Sequence, residues 1–382
     1  MSLPASTEGN VARCMSSGNV APQITSPRPA PAMFAWQRRT IMKEIRDKAR
    51  QSMKGFCRVC PVCDGRACVG EVPGMGGLGT AASFRNNVTS LAALRLNMRL
   101  VHDVKSPDLS TRLLGLDLSM PLLAAPIGGV SFNMGGGITE EEYVEAILAG
   151  CKDRGLIGCT GDGVPPFLHE AGFGGIRNHG GHGIPFVKPW DGDELDEKLG
   201  KALDTGCSVL GMDVDAAGLI TLRKMGRPVA PKSPAELETI IRRVHDAGVR
   251  FILKGIMTPE DACLAVEVGA DGIVVSNHGG RVLDHTPGTA EVLSEVADPV
   301  RGRIAVLVDG GVREGVDVLK MLALGADAVM IGRPFAMAAV GGQADGVRTY
   351  IDALRAQLEQ AMILTGCEDV ASAGPHLLHG KS

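Results

Sequence analysis

From Pro121 onward, short apolar runs alternate with longer stretches whose apolar residues recur at helical spacing. The runs begin near Pro121 (Leu122-Leu123-Ala124-Ala125), Leu156, Ile184, Ser208, Phe251, Gly272, Ile304 and Asp327. They lack the in–out alternation of a half-exposed strand, so each reads as a strand covered on both faces. Helical patterns lie between them, most clearly at 234–247, 259–268 and 315–324. Eight strand–helix units in about 210 residues predict an α/β fold, a (β/α)8 barrel. A doubly wound open sheet would not run to eight evenly spaced units.

The flanks differ from this repeat. Residues 1–32 are rich in Pro, Ser, Ala and Thr without periodicity and are expected to be a disordered tail. They lack a basic start followed by an apolar run, so no secretory signal is expected; Arg13 and Arg28 among serines leave an organellar transit segment open. Residues 33–120 read as a helical, Cys-rich extension: a basic helix over 36–53, a cysteine cluster, a glycine loop and a polar helix over 91–100. The barrel occupies 121–366, closed by an amphipathic helix over 345–365 with Val347, Ile351, Leu354, Leu358 and Met362 on one face. Residues 367–382 read as a C-terminal tail.

Composition narrows the class. With 45% apolar residues, the 382-residue chain can bury a deep core, and its 51 glycines form no repeat. A net charge of −4 gives no reason to expect nucleic acid or an anionic membrane as partner. No apolar run approaches the ~20 residues that span a bilayer. Of the ten cysteines, Cys151, Cys159, Cys207, Cys263 and Cys367 stand singly in apolar contexts as small hydrophobes, and Cys14 lies alone in the tail. A core-rich chain of this size needs no disulfide framework, so a soluble protein of a reducing, cytoplasmic compartment is expected.

Candidate chemistry gathers at strand ends. Ser276-Asn277-His278-Gly279-Gly280-Arg281 leaves the sixth run, placing a histidine and an arginine where barrels of this kind do their chemistry. Histidine can take a proton near neutral pH, and arginine can grip a carboxylate with two parallel hydrogen bonds. Asp309-Gly310-Gly311-Val312-Arg313 leaves the seventh run and Gly332-Arg333-Pro334 the eighth. Two consecutive glycine turns, each with an arginine, point to a phosphate site. Lys254 ends the fifth run and is expected to reach into the barrel mouth. Gly74-Met75-Gly76-Gly77-Leu78-Gly79 matches a dinucleotide fingerprint only formally, because no strand precedes it, and reads as a flexible loop. Asn178-His179-Gly180-Gly181-His182 reads as a turn at the opposite end of the barrel. His285 is a candidate for the mouth, whereas His102, His169 and His245 read as ordinary helix or loop residues.

Taken in order, LKGI, SNHGGRVLD, VLVDGGVREGVDVLKMLALGADAV and IGRPF, with a thinner match over 99–126, resemble the FMN-dependent α-hydroxy acid oxidase and dehydrogenase family, which includes glycolate and lactate oxidases. The resemblance implies a TIM barrel with FMN at its C-terminal mouth and oxidation of a 2-hydroxy acid to the 2-oxo acid. It makes His278 the base, paired with Asp215, and Arg281 the carboxylate anchor. Lys254 would steady the reduced ring beside its N1–C2=O edge. Ala124, Ala125, Pro126, Lys188 and Ser276 would lie along the flavin, and Asp309, Gly310, Gly311, Arg313, Gly332 and Arg333 would hold its ribityl phosphate. A homo-oligomer is carried over on the same basis.

The chain departs from that pattern between 127 and 247. The family's two pocket tyrosines have no counterpart, since Tyr143 and Tyr350 lie in helical patterns elsewhere. Lys188-Pro189-Trp190 stands where the family has Gln-Leu-Tyr, so lysine would face the flavin and tryptophan would replace a phenol. Arg223 is the nearest candidate for a second carboxylate-binding arginine. Cys57, Cys60, Cys63 and Cys68 add a feature that the oxidases lack. Their spacing suits one metal, zinc or a [4Fe–4S] cluster, with disulfide switching or plain structural thiols as alternatives. An iron–sulfur centre would suggest a protein electron acceptor in place of oxygen. Two rivals remain to the 2-hydroxy acid reading: an FMN enzyme of the type 2 isopentenyl diphosphate isomerase kind, and a non-catalytic flavin and metal redox sensor.

Overall fold

The computed structural model describes residues 35–227 and 229–380; the expected disordered tail, with Arg13, Cys14 and Arg28, lies outside them. Ten strands are present: β1 (Thr111–Leu113), β2 (Leu116–Leu118), β3 (Leu122–Ile127), β4 (Ile157–Thr160), β5 (Ile184–Val187), β6 (Val209–Asp213), β7 (Arg250–Ile256), β8 (Gly272–Val275), β9 (Ala305–Val308) and β10 (Ala328–Ile331). β3 to β10 close a parallel barrel in chain order, β10 pairing with β3. These are the eight apolar runs, and five of them (β4, β5, β6, β8 and β10) are buried at every position.

The helices are α1 (Ala35–Ser52), α2 (Ala82–Ala93), α3 (Val130–Asn133), α4 (Glu140–Lys152), α5 (Pro166–Asn178), α6 (Gly192–Leu203), α7 (Ile220–Lys224), α8 (Pro234–Asp246), α9 (Pro259–Glu267), α10 (Thr289–Ala297), α11 (Gly315–Ala323) and α12 (Arg333–Thr365). Local chemistry fixes their starts. At α8, Ser233 Oγ accepts from the Glu236 N–H while the Glu236 carboxylate accepts from the Ser233 N–H, closing a capping box around Pro234.

The β1–β2 hairpin was not foreseen. Leu114 and Gly115 turn it with φ of 49° and 78°, the all-positive geometry of a tight hairpin. Leu113 and Leu118 pack with Phe186, Ile252 and Met330 inside the barrel, so the hairpin plugs its N-terminal end.

Two expectations need correction. The polar helix expected over 91–100 is α2, which ends at Ala93. Residues beyond it are held extended by the C-terminal segment: Asn97 N–H donates to Leu377 O, His379 N–H to Arg95 O, and Arg99 N–H to Leu364 O. The same bonds dock residues 367–380, expected as a tail, with Cys367, Leu377 and Leu378 buried. The amphipathic helix expected over 345–365 is present as the second half of α12, which begins at Arg333 and breaks at Gln343 (φ 49°). Its first half, Pro334 to Gly341, is buried on every side and so shows no amphipathic stripe.

Candidate functional site

One cavity of about 420 Å³ opens at the C-terminal ends of the barrel strands. The loop after β8 brings His278, Gly279 and Arg281 to it; the loops after β9 and β10 bring residues 309–313, Gly332 and Arg333. His278, Gly279 and Gly280 all have positive φ, 55°, 64° and 76°, so the chain coils tightly and turns the imidazole to the cavity. A Cβ on Gly280 would stand 2.4 Å from the Phe84 nitrogen, because the first turn of α2 presses on this loop. Asp284 ties the two together by accepting from the N–H groups of Thr80 and Ala82.

His278 Nδ1 lies 3.0 Å from Asp215 Oδ1 and 3.5 Å from Lys254 Nζ. A single ring nitrogen cannot donate to one and accept from the other, and the shorter contact to a carboxylate takes the N–H. That tautomer leaves a lone pair on Nε2. Beneath it, Lys254 Nζ sits 3.1 Å from Asp213, 3.9 Å from Asp215 and 3.9 Å from Asp309. Burial alone would lower its pKa, but the three carboxylates push it above the usual lysine value. Asp213, also 3.8 Å from Lys188, is held at about 2 despite burial that would raise it, chiefly by Lys254 and Lys188. Asp309 moves upward because its burial outweighs the pull of Lys254.

Arg281 is half-buried and pairs with no acid among the described residues. Its guanidinium donates to Gly74 O and Gly76 O and, at 3.0 Å, to Asn133 Oδ1. Burial and then Arg333 disfavour its charge, so a positive group stands among neutral oxygens where an anion would relieve it. The glycine segment 74–79, expected as a flexible loop, is therefore a wall of the site. Arg333 donates to its carbonyls too, at Met75 O (2.8 Å) and Gly76 O (3.1 Å), and stacks over Phe84. Arg313 Nε is buried with no partner, although its other nitrogens donate to Val312 O and Cys63 O.

Twelve of the fifteen barrel-site positions expected from sequence line this cavity; Ala124, Asp215 and Ser276 stand behind it, Ala124 and Ser276 fully buried. Ser276 Oγ accepts from the His278 N–H at 3.0 Å, which supports the loop. Asp215 acts from the same rear position. Lys188 faces the cavity as expected, but Trp190 does not replace a pocket phenol. Its indole N–H donates to Asp162, which also accepts from Lys188 N–H and Lys198 Nζ, and the ring is buried. Trp190→Phe should leave this buried carboxylate short of a donor, costing about 1–3 kcal/mol of stability in urea unfolding.

Arg223 is exposed, and its neighbour Lys224 lines the cavity instead. Tyr143 and Tyr350 are buried away from it, Tyr350 donating to Arg313 O. His285 is exposed on its loop and does not line the mouth. His169, expected to be ordinary, is buried 3.7 Å from Asp162 with both ring nitrogens unpartnered. His179 and His182 lie in the turn after α5, bonded to Glu145 and Leu156 O. Asn133, Asp162 and Asp213 were missed as site residues; only the Asp213-Val214-Asp215 repeat offered a signal.

The four clustered cysteines are free thiols that line one small cleft with Met75, Arg333 and Met337. Burial raises the pKa of Cys57, and pushes Cys68 to about 11. Among the described residues, the metal-capable trio with ligand atoms within 4.8 Å of one another is Asp213, Asp215 and His278, which Lys254 already serves as cation.

Residues 74–225 and 232–380 match the family described as FMN-dependent dehydrogenase. A peroxisomal (S)-2-hydroxyacid oxidase of Arabidopsis thaliana is 34% identical over 331 residues, covering 77% of this chain and 87% of the relative. An L-lactate dehydrogenase of Pseudomonas aeruginosa (strain LESB58) is 32% identical over 346 residues, covering 77% and 90%. Among solved structures, mandelate oxidase with benzoyl-formic acid superposes with a TM-score of 0.71 at 31% identity, over 88% of this chain and 97% of the other.

Proposed function

The chain belongs to the FMN-dependent dehydrogenase family, and from that premise we propose that it oxidises a 2-hydroxy acid to the 2-oxo acid in the cavity above β8, β9 and β10. One observation carries the reading: an imidazole backed by Asp215 shares a cavity with the acid-free guanidinium of Arg281. A substrate without an anionic group would leave that guanidinium facing neutral oxygens alone, and the relatives that match 77% of this chain are a 2-hydroxyacid oxidase and an L-lactate dehydrogenase rather than isomerases.

The residues fit FMN, which when bound supplies the two-electron acceptor. Ala125 and Pro126 offer a flat wall for its ring, with Lys188 and Lys254 beside it. The unpartnered Nε of Arg313, with Arg333, Gly310, Gly311 and Gly332, would hold its phosphate. Arg281, its plane fixed by Asn133 and the 74–76 carbonyls, anchors the substrate carboxylate. His278 Nε2 takes a proton from the substrate, and Asp215 and Asp213 stabilise the imidazolium that results. Lys254 keeps a positive charge at the barrel mouth. Phe132, Leu168, Leu219 and Met225 form an apolar outer wall, suited to a substrate with an apolar 2-substituent rather than to glycolate.

Anaerobic mixing with a panel of (S)-2-hydroxy acids tests this by the flavin's visible absorbance. At least one acid should bleach it; a flavin-loaded protein bleached by none would be the redox sensor instead. Arg281→Met should lower kcat/KM by about 10²–10³-fold, mostly through KM, as expected for losing two charge-assisted hydrogen bonds.

A further inference from the structure

We propose that Cys57, Cys60, Cys63 and Cys68 ligate a [4Fe–4S] cluster that carries electrons out of the flavin site to a one-electron carrier protein. The inference rests on the FMN reading above, and its test is separable from it.

Position is the first argument. The thiols share their cleft with Met75 and Arg333, and both of those residues also line the flavin cavity. Arg313 links the two sites as well: its Nη2 donates to Cys63 O at 3.2 Å and lies 3.7 Å from Cys63 Sγ. Cleft and cavity are thus separated by single side chains. On the outer side, Val62 stands 69% exposed between Cys60 and Cys63, so the thiol loop reaches the surface where a carrier could dock.

The backbone is shaped around sulfur. Val59 is buried with φ at 45°, a conformation that a β-branched residue adopts only under strain from its surroundings. That turn directs the Val59 N–H at Cys57 Sγ, 3.3 Å away. Arg50 fixes the turn from α1 by donating to Val59 O at 3.0 Å and Arg58 O at 3.2 Å, and Arg46 donates to Cys60 O. N–H groups and guanidinium charge around thiolates are what an anionic cluster needs, and they tune its potential. Strain and arginine bracing would be superfluous for thiols that merely fill space.

Geometry and spacing favour the larger centre. Zinc–sulfur bonds of about 2.3 Å in a tetrahedron put sulfurs about 3.8 Å apart. The thiols form no tight trio of that kind, nor are they bonded as disulfides. Cys-x2-Cys-x2-Cys is ferredoxin-like spacing. The cluster segment also precedes residue 74, where the family match begins, so it is an addition to the barrel.

The electron count closes. One 2-hydroxy acid yields its 2-oxo acid, two electrons and two protons. FMN receives both electrons, and the cluster passes them on singly, cycling between its 2+ and 1+ states. Two oxidised carriers, each a haem or iron–sulfur protein, are reduced, and the protons go to solvent.

Protein produced in iron-replete medium and purified anaerobically should contain about four iron and four sulfide per chain beside FMN. It should show a paramagnetic signal on dithionite reduction. Cys60→Ser should lose that signal and keep its yellow flavin, which reports folding. Bleaching by the 2-hydroxy acid should proceed at the parent rate, while reduction of cytochrome c, the one-electron protein probe, falls at least about tenfold. One zinc per chain without iron, or no metal, would overturn the proposal. Cytochrome c reduction unchanged by loss of the cluster would do the same. Bleaching in a metal-free parent would keep the hydroxy-acid reading while sinking this one.

Discussion

Replacing His278 with alanine should slow anaerobic flavin bleaching by a 2-hydroxy acid about 10³–10⁴-fold while the protein stays yellow. That factor is what a positioned general base contributes. The cofactor should stay because the side chain's polar contacts run to Asp215 and Lys254, not to the arginines of the phosphate end. Asp215→Asn should also slow bleaching, since the amide can no longer fix the tautomer or offset the imidazolium. Stopped-flow absorbance checks both. A His278→Ala protein that bleached at the parent rate would remove the base from the scheme.

The second large effect is on stability. Lys254→Met should cost about 3–5 kcal/mol, the scale for removing one member of a buried ion cluster. Three carboxylates meet at that ammonium, and Lys188, 3.8 Å from Asp213, is too peripheral to serve all three. The pH dependence has a definite sign. Asp213 is depressed to about 2 in the folded protein, against about 3.9 unfolded. Its ion pairs therefore stabilise the parent above about pH 4, and that contribution is lost as pH falls through 2. In the variant the carboxylates gain by protonation instead, so the deficit should narrow between pH 7 and pH 5. Urea midpoints at both pH values decide it; a constant deficit would mean that lost packing, not charge, dominates.

The barrel was legible because eight strands buried on both faces write themselves as continuous apolar runs. The strand ends then located His278, Arg281, Lys254 and the two glycine turns, each carried on a contiguous motif. What escaped was fixed by distant partners. Asn133 meets Arg281 across 148 positions, and no local pattern announces it. Trp190 stood beside Lys188 in sequence and was read as a pocket ring, but the buried Asp162 draws its N–H inward. The expected helix over 91–100 failed because residues almost 280 positions later hold that segment extended. The three-residue strands of the hairpin are too short to show periodicity.

That hairpin decides how traffic through the enzyme must run. With Leu113 and Leu118 stopping the lower end, the barrel is a blind well. Reactant and keto product use the same doorway in opposite directions, and neither can pass while the other stands in it. A reductant exit through the side wall, at Arg333 and the thiol cleft, would let the flavin be reoxidised without queuing at that doorway.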